Sequence, residues 1–469
     1  MGFVLPTRSA LVLASIFLDF NLPNAATWYY FSLLLVVGLF LKFGRLFSLR
    51  NWDLLTLFML VPGFLLLQEA HALLFSAKED GFDPALKAKI TARGETLLFF
   101  GYVWLIAGSG YWFARCLLDL ALVQRPTLTP NLNLSGLAWL AAGLFICMTI
   151  VAIKRMPDVP IEQIGKGPLA LMRVQEGAAT VVNYQAGTTE LEQADSKFWV
   201  ERGVAMVLHL AVMIGLVLIG AVHFQSTTSG MAMACLYLLL PYTAFHISQV
   251  HHVWPAVFLV WAVFAYRRPI VVGLLLGLAA GSVFFPLLLF PLWFGFYRGR
   301  GEVRFTISFA IATILSLAVT ALLLWTRGEF HRHLSIALSL ADWQAWKEPL
   351  TESLWTGAHW AYRMPVFILY MAFVAVTIFW PTPRNLAQVI AQTAAVVIGV
   401  QFWYADQGGV YVLWYLPLLL MMFFRPNLSD RRPLLIDPDT DCVRRWTKAA
   451  CKRLRKLARR PLPEKVELR

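Results

Sequence analysis

Charge is scarce in this chain. Only 14% of its 469 residues are Asp, Glu, Lys or Arg, and the acids are the rarer sign, 27 against 40 bases. That balance, with 59% hydrophobic residues, 34 Phe and 18 Trp, excludes a soluble globular domain of this length. Cysteine is scarce as well: Cys116, Cys147 and Cys235 lie inside apolar runs, Cys442 and Cys451 in a basic tail. No CxxC or paired spacing joins them, so neither a disulfide framework nor a zinc site is indicated. There is no P-loop, no GxGxxG after a strand, no HExxH, no Ser-His-Asp signature and no haem motif. Soluble-cofactor chemistry is therefore unsupported, no cofactor is expected, and a divalent metal is not indicated.

What is present is a series of apolar runs long enough to cross a hydrocarbon core about 30 Å thick. They fall near 27–43, 52–69, 97–118, 135–153, 203–224, 229–248, 250–266, 304–325, 364–381, 385–404 and 408–424. Backbone groups in lipid must be satisfied within their own segment, so each run is expected as a helix. The fold class that follows is all-α, a polytopic membrane helical bundle of about 11–13 transmembrane helices. Residues 9–20 are apolar but short and interrupted by Asp19, and no small-residue cleavage pattern follows them, so they are expected to stay in the mature chain.

Positive charge sets the orientation. From Arg425 to Arg469 there are 14 Lys and Arg against 6 Asp and Glu, which places the C-terminus in the cytoplasm. Within this tail Val443, Trp446, Ala450, Leu454 and Leu457 recur at helical spacing among Arg444, Arg445, Lys448, Lys452, Arg453, Arg455 and Lys456. That pattern reads as a helix lying on an anionic leaflet; nucleic acid is not an expected partner beside a membrane bundle. Counting back, Pro383-Arg384, "RGRGEVR" (298–304), Arg267-Arg268, Gln124-Arg125 and "KFGRLFSLR" (42–50) fall on the same side. Segments 70–96, 154–202, 246–252, 326–363 and 405–407 fall on the other.

The map depends on 269–297, which has arginines at both ends. One helix of that length would run roughly 43 Å, and two halves are each too short to span. A re-entrant hairpin broken near Gly281 to Pro286 resolves this; a single kinked span, the rival, would reverse every earlier segment. Gly273, Gly277 and Gly281 form a small-residue packing stripe. Of the two long external segments, 154–202 carries seven acids against six bases, and 326–363 carries Trp343, Trp346, Trp355 and Trp360 and is expected along the interface.

The candidate chemistry sits at the outer turns. "HISQVHHVWP" (246–255) places His246, Ser248, Gln249, His251 and His252 between two spans. Projected onto one helix, the three histidines point near 0°, 140° and 240°, so a metal site is not expected. An interfacial turn reaching water and a polar floor of an outward cavity both remain open. Arg332, between His331 and His333, and Arg363, before the span at Met364, are candidates to hold a phosphate bidentately. Asp158, in "KRMPDVPIEQ", is the carboxylate nearest the membrane end of its lobe, among six other acids of that lobe.

The run "CLYLLLPYTAFHISQVHHVWPAVFLVWAVFAYRRPIVVGLLLGLAAGSVFFPLLLFPLWFGFYRGR" resembles the central region of the GT-C superfamily of polyprenyl-phosphate-sugar-dependent glycosyltransferases, particularly the bacterial mannosyltransferase-like branch. The resemblance covers roughly 75 residues of common types and the general layout of the C-terminal half. It implies a GT-C-like membrane core over 135–424, preceded by N-terminal membrane helices over 1–134 and followed by a basic cytoplasmic tail over 425–469. It implies a lipid-linked sugar donor, an acceptor at the outer face, and Asp158 as the catalytic acid or base. It carries substrate binding onto Gln249, His251 and His252; Arg332 and Arg363 are the candidates read above for the lipid phosphate. The family's aspartate-rich motif is missing here. The short loops and the lack of an evident glycosylated ectodomain suit a bacterial inner membrane, with the eukaryotic endoplasmic reticulum as the alternative. A non-catalytic scaffold with a degenerate bundle of this kind and a transporter or flippase are the other classes; no internal repeat speaks for the latter.

Overall fold

The computed structural model describes residues 25–78, 83–122, 128–154, 190–326, 353–382, 384–404 and 408–434. Among these the chain is helical, in the order α1 (Ala25–Phe40), α2 (Leu49–Thr56), α3 (Val61–Ser76), α4 (Pro84–Asp119), α5 (Leu134–Lys154), α6 (Glu190–Val222), α7 (Thr227–Leu239), the single turn α8 (Pro241–Phe245), α9 (Val250–Phe264), α10 (Pro269–Ser282), α11 (Phe290–Tyr297), α12 (Glu302–Thr326), α13 (Arg363–Val376), α14 (Leu386–Trp403) and α15 (Leu416–Phe424). Six helical stretches are long and apolar enough to cross a membrane, and six shorter apolar helices accompany them. This is an all-α polytopic bundle.

The helix starts are written locally. Ser48, Ser226 and Asn385 accept from the backbone N–H three residues on, satisfying donors that a helix leaves open, and Gln388 completes a capping box with Asn385. Proline occupies the first turn of α3, α4, α8, α10, α11 and α15, where its missing N–H costs nothing.

Neighbour contacts fix a direction for each helix. α6 and α9 run parallel: Ala205 packs with Val250, the Trp261 indole donates to Ala211 O, and the His223 ring bonds Phe264 O. Leu60 meets Gly108 and Leu74 meets Gly94, so α3 and α4 are antiparallel. Followed through the bundle, these pairings gather Lys42, Arg45, Arg50, Arg267, Arg268, Arg298, Arg300, Arg384, Arg425 and Arg431 at one end, hereafter the arginine end. The opposite, loop end carries the junctions to 155–189 and 327–352 and the turn at 246–249. α14 is the axis, 83% buried, whereas α5 and α12 are only 22% buried and form the periphery that meets lipid.

The segment 269–297 is a hairpin. A Cβ on Gly273 would strike Ser308 and Phe305, one on Gly277 would strike Phe309 and Ala312, and one on Gly281 would strike Ser316. Both helices advance together, so α10 and α12 are parallel, and their starts, Pro269 and Glu302, share the arginine end. The chain turns at Val283 and Phe284, a 3-10 turn at Phe285–Leu289 follows, and α11 returns. α12 continues about 15 Å past Ser316, so the hairpin stops short of the full depth. Apolar surfaces gain nothing from leaving lipid for each other, which is why close backbone approach through glycine holds this pair. The same device joins α6 to α7, where a Cβ on Gly220 would meet the backbone of Gly230.

Several boundaries differ from the sequence expectation. Much of the loop expected at 70–96 is helix: α3 runs on through Leu73, Leu74 and Phe75 to Ser76, and α4 begins at Pro84 with a polar stretch ahead of its apolar part. Glu190 to Arg202, assigned to a lobe, is the first third of α6. The span at 229–248 breaks at Leu240, held in extended geometry by the proline that follows. Arg384, at the arginine end, donates to Leu292 O (2.9 Å), Trp380 O (3.1 Å), Pro381 O (3.1 Å) and Thr377 O, closing the C-terminus of α13. Burial pushes its guanidinium down to about 10, still a cation near neutrality.

Candidate functional site

The stretch His246–Pro255 is shaped by its own proline and by Pro241 just before it. Pro241 opens the single turn α8, which ends at His246; Gln249 N then bonds His246 O at 3.1 Å, and α9 begins at Val250. Pro255 lies inside α9 and has no N–H, which leaves the carbonyl of His251 without its partner one turn on. The indole of Trp414 donates to that carbonyl at 3.1 Å.

That bond builds a column of rings. Trp414 stacks on Phe285 at the hairpin tip (4.4 Å, 18°) and on Tyr411 (4.1 Å, 19°). Tyr411 covers His252 (5.2 Å, 30°), and His252 stacks on His246 (3.8 Å, 21°). His251 leans on His252 at 4.4 Å, and Phe64 of α3 meets His246 edge-on at 5.6 Å.

The three histidines converge, contrary to the helical projection. The projection fails because His246 belongs to the turn and not to α9. They converge as faces, not as ligands around a point, and among the described residues no cluster of His, Cys, Asp or Glu is arranged to hold a metal ion. His246 Nδ1 lies 2.6 Å from Gln249 Oε1; an amide oxygen only accepts, so Nδ1 donates. His252 is fully buried, and neither ring nitrogen has a hydrogen-bond partner among the described residues. His251 Nε2 has none either, and its side chain is half-buried. Buried polar groups are nearly always hydrogen-bonded, which sets these imidazoles apart from the rest of the core.

Of the residues expected to form the site, Gln249, His251 and His252 come together. Arg363 opens α13 at the same end, buried. From its next turn Phe367 meets Trp403 (4.9 Å), which meets Phe284 (6.0 Å), which meets Tyr404 (5.2 Å), which meets Tyr411 (6.2 Å). A continuous aromatic wall therefore joins α13 to His252. Asp158 and Arg332, like His331, His333, Asp406 and the basic tail beyond 434, lie outside the described residues.

Two buried polar groupings escaped the sequence reading. His209, alone in an apolar run, lies 2.8 Å from the Tyr237 hydroxyl, both side chains fully buried near the polar turn. At the arginine end a charge chain crosses the bundle. Arg115 Nε and Nη2 reach the Asp53 carboxylate at 2.8 and 3.0 Å, Arg115 Nη1 lies 3.5 Å from Asp119, and Arg425 reaches Asp119 at 2.8 and 3.1 Å. The i, i+4 spacing of Arg115 and Asp119 was the available signal.

No family model, curated protein or solved structure matches the chain.

Proposed function

We propose that the chain is an integral membrane glycosyltransferase of GT-C type, moving a mannose-like sugar from a polyprenyl-phosphate donor to an acceptor hydroxyl at the loop end. The observation that carries this reading is the polar turn Gln249–His252, whose imidazoles lack partners and whose wall is the hairpin tip, Tyr404 and Tyr411. Aromatic faces and imidazole nitrogens suit a sugar ring, through its C–H face and its hydroxyls. The segments bearing Asp158 and Arg332 attach at the same end, and Arg363 stands at the far side of the wall.

In this reading Asp158 takes the proton of the acceptor hydroxyl. The oxygen attacks the anomeric carbon, the bond to the phosphate oxygen breaks, and the polyprenyl phosphate leaves with inversion. Arg332 and Arg363 stabilise the leaving phosphate. Gln249, His251 and His252 orient the sugar. The loop end faces outward and the arginine end the cytoplasm, as in a bacterial inner membrane.

A second reading, a non-catalytic scaffold, is favoured by one observation: His252 is fully buried in a closed ring column. Transfer from polyprenyl-phosphate-mannose in proteoliposomes separates the two. Asp158→Asn is expected to lower transfer by roughly 10²–10⁴, and His251→Ala by about tenfold for one lost hydrogen bond. Wild-type rates in both variants would remove the site; no transfer by the parent protein would favour the scaffold.

A further inference from the structure

Between α1 and α2 the chain stays at the arginine end, from Leu41 to Ser48, and the tip of this connector is bare. Phe43 and Leu46 are more than half exposed and Phe47 entirely so. The connector is nevertheless gripped from below. Asn51, fully buried, accepts from Lys42 N at 3.1 Å and donates to Lys42 O (2.9 Å) and Arg45 O (3.0 Å), which fixes the 3-10 turn Phe43–Arg45. Asn131, just ahead of α5, donates to Gly38 O at 3.0 Å and accepts from Lys42 Nζ at 2.7 Å, while Arg50 donates to the carbonyls of Thr129 and Phe40. The apolar tip is thus held out by the fold.

Three cations frame that tip: Lys42, Arg45 and Arg50. Arg45 is exposed, and its guanidinium makes no hydrogen bond among the described residues. The acids of this end do not answer them. Asp53 and Asp119 are buried and paired with Arg115 and Arg425, and neither Glu302 nor Asp430 forms an ion pair with any of the three among the described residues. In the first turn of α2, Trp52 is exposed, and its indole donates to the Tyr111 hydroxyl at 2.9 Å. An amphipathic pair of this kind sits at the headgroup level of a bilayer.

Apolar side chains on the flank of a membrane bundle meet lipid tails and call for no partner; these stand on a connector at its end, where the surroundings are headgroups and water. We infer that the connector is a membrane-surface anchor for acidic phospholipid, with Phe43, Leu46 and Phe47 among the upper acyl carbons and Arg45, beside Lys42 and Arg50, against the headgroup phosphates. Apolar side chains set among cations match the boundary of an anionic leaflet, which offers negative charge at its surface and hydrocarbon just beneath. A free anion would answer the cations but leave three large apolar side chains in water, so the occupant is the leaflet itself. The anchor lies at the opposite end from the proposed transfer site and stands or falls independently of it.

Quenching by brominated lipid tests this on the full-length protein in nanodiscs. In a chain whose Cys147, Cys442 and Cys451 are serine, Phe47→Cys carries a bimane label, and Lys87→Cys, in the polar first part of α4, is the water-side control. The discs hold phosphatidylcholine and phosphatidylglycerol in one fixed mixture, with the bromines on one lipid or on the other. Position 47 is expected to be quenched and position 87 not. Per brominated molecule, phosphatidylglycerol is expected to quench position 47 about twofold or more over phosphatidylcholine, from the attraction of the cations for an anionic surface. Arg45→Gln, at an exposed side chain that holds nothing else in place, is expected to remove most of that preference and to leave quenching by phosphatidylcholine as it was. Quenching at position 47 no stronger than at position 87, equal quenching by the two lipids, or a preference unchanged in Arg45→Gln would overturn the anchor.

Discussion

Replacing Arg115 with Met is expected to destabilise the bundle by about 3–5 kcal/mol, the penalty for breaking a buried ion pair from one side. Arg115 sits between two carboxylates, and all three side chains are almost fully buried. Asp119 keeps Arg425 when Arg115 is removed, whereas Asp53 loses both hydrogen bonds of its bidentate partner and bears the larger share of the cost. Removing the charge at Asp53 together with Arg115, with side chains of similar volume, is expected to recover most of the loss, because desolvation of both ions disappears with them. Unfolding of the detergent-solubilised protein measures both, and a single variant as stable as the parent would mean that the chain of charges does not form. The structural consequence is position: Asp53, Asp119 and Arg425 tie α2, α4 and the end of α15.

Gly277→Val is the second large effect. The Cβ at this position falls 2.4 Å from Phe309 O and 2.8 Å from the Ala312 methyl, and the first of these is backbone that cannot rotate away. Overpacking of this kind costs about 1–3 kcal/mol when neighbours can adjust, and a value at or above the top of that range is expected here. Thr313 also donates to the Gly277 carbonyl at 3.2 Å, so separating α10 from α12 loses a hydrogen bond across the pair. The hairpin tip carries Phe285 into the ring column, so Gly277→Val is expected to lower activity along with stability. Gly38→Val, where nothing lies within 4 Å, is the matched control and is expected to change little.

The fold was legible where the physics is local or set by the lipid. Apolar run lengths gave the helices, and the arginines flanking 269–297, with its glycine and proline break, gave the hairpin. The Gly273–Gly281 stripe gave the face that packs. What remained hidden was long-range. The role of Pro255 appears only when Trp414, far along the chain, is found on the His251 carbonyl. The stacking of His246 on His252 depends on a helix break that spacing alone does not reveal. The charge chain draws its members from α2, α4 and the end of α15, and nothing in the neighbourhood of Asp53 announces Arg115. The candidate site was half legible: Gln249, His251 and His252 do gather, while Asp158 and Arg332 fall in segments outside the described residues.

The opposition of the two ends, with the hairpin returning to the arginine end, underlies the proposed transfer site. Single cysteines tested with a membrane-impermeant maleimide read it directly, in a protein whose Cys147, Cys442 and Cys451 are serine. Arg268→Cys and Arg298→Cys are expected to label from the same face, and His359→Cys from the opposite one. Labelling of positions 268 and 298 from opposite faces would contradict the hairpin and, with it, the end assigned to the proposed transfer site.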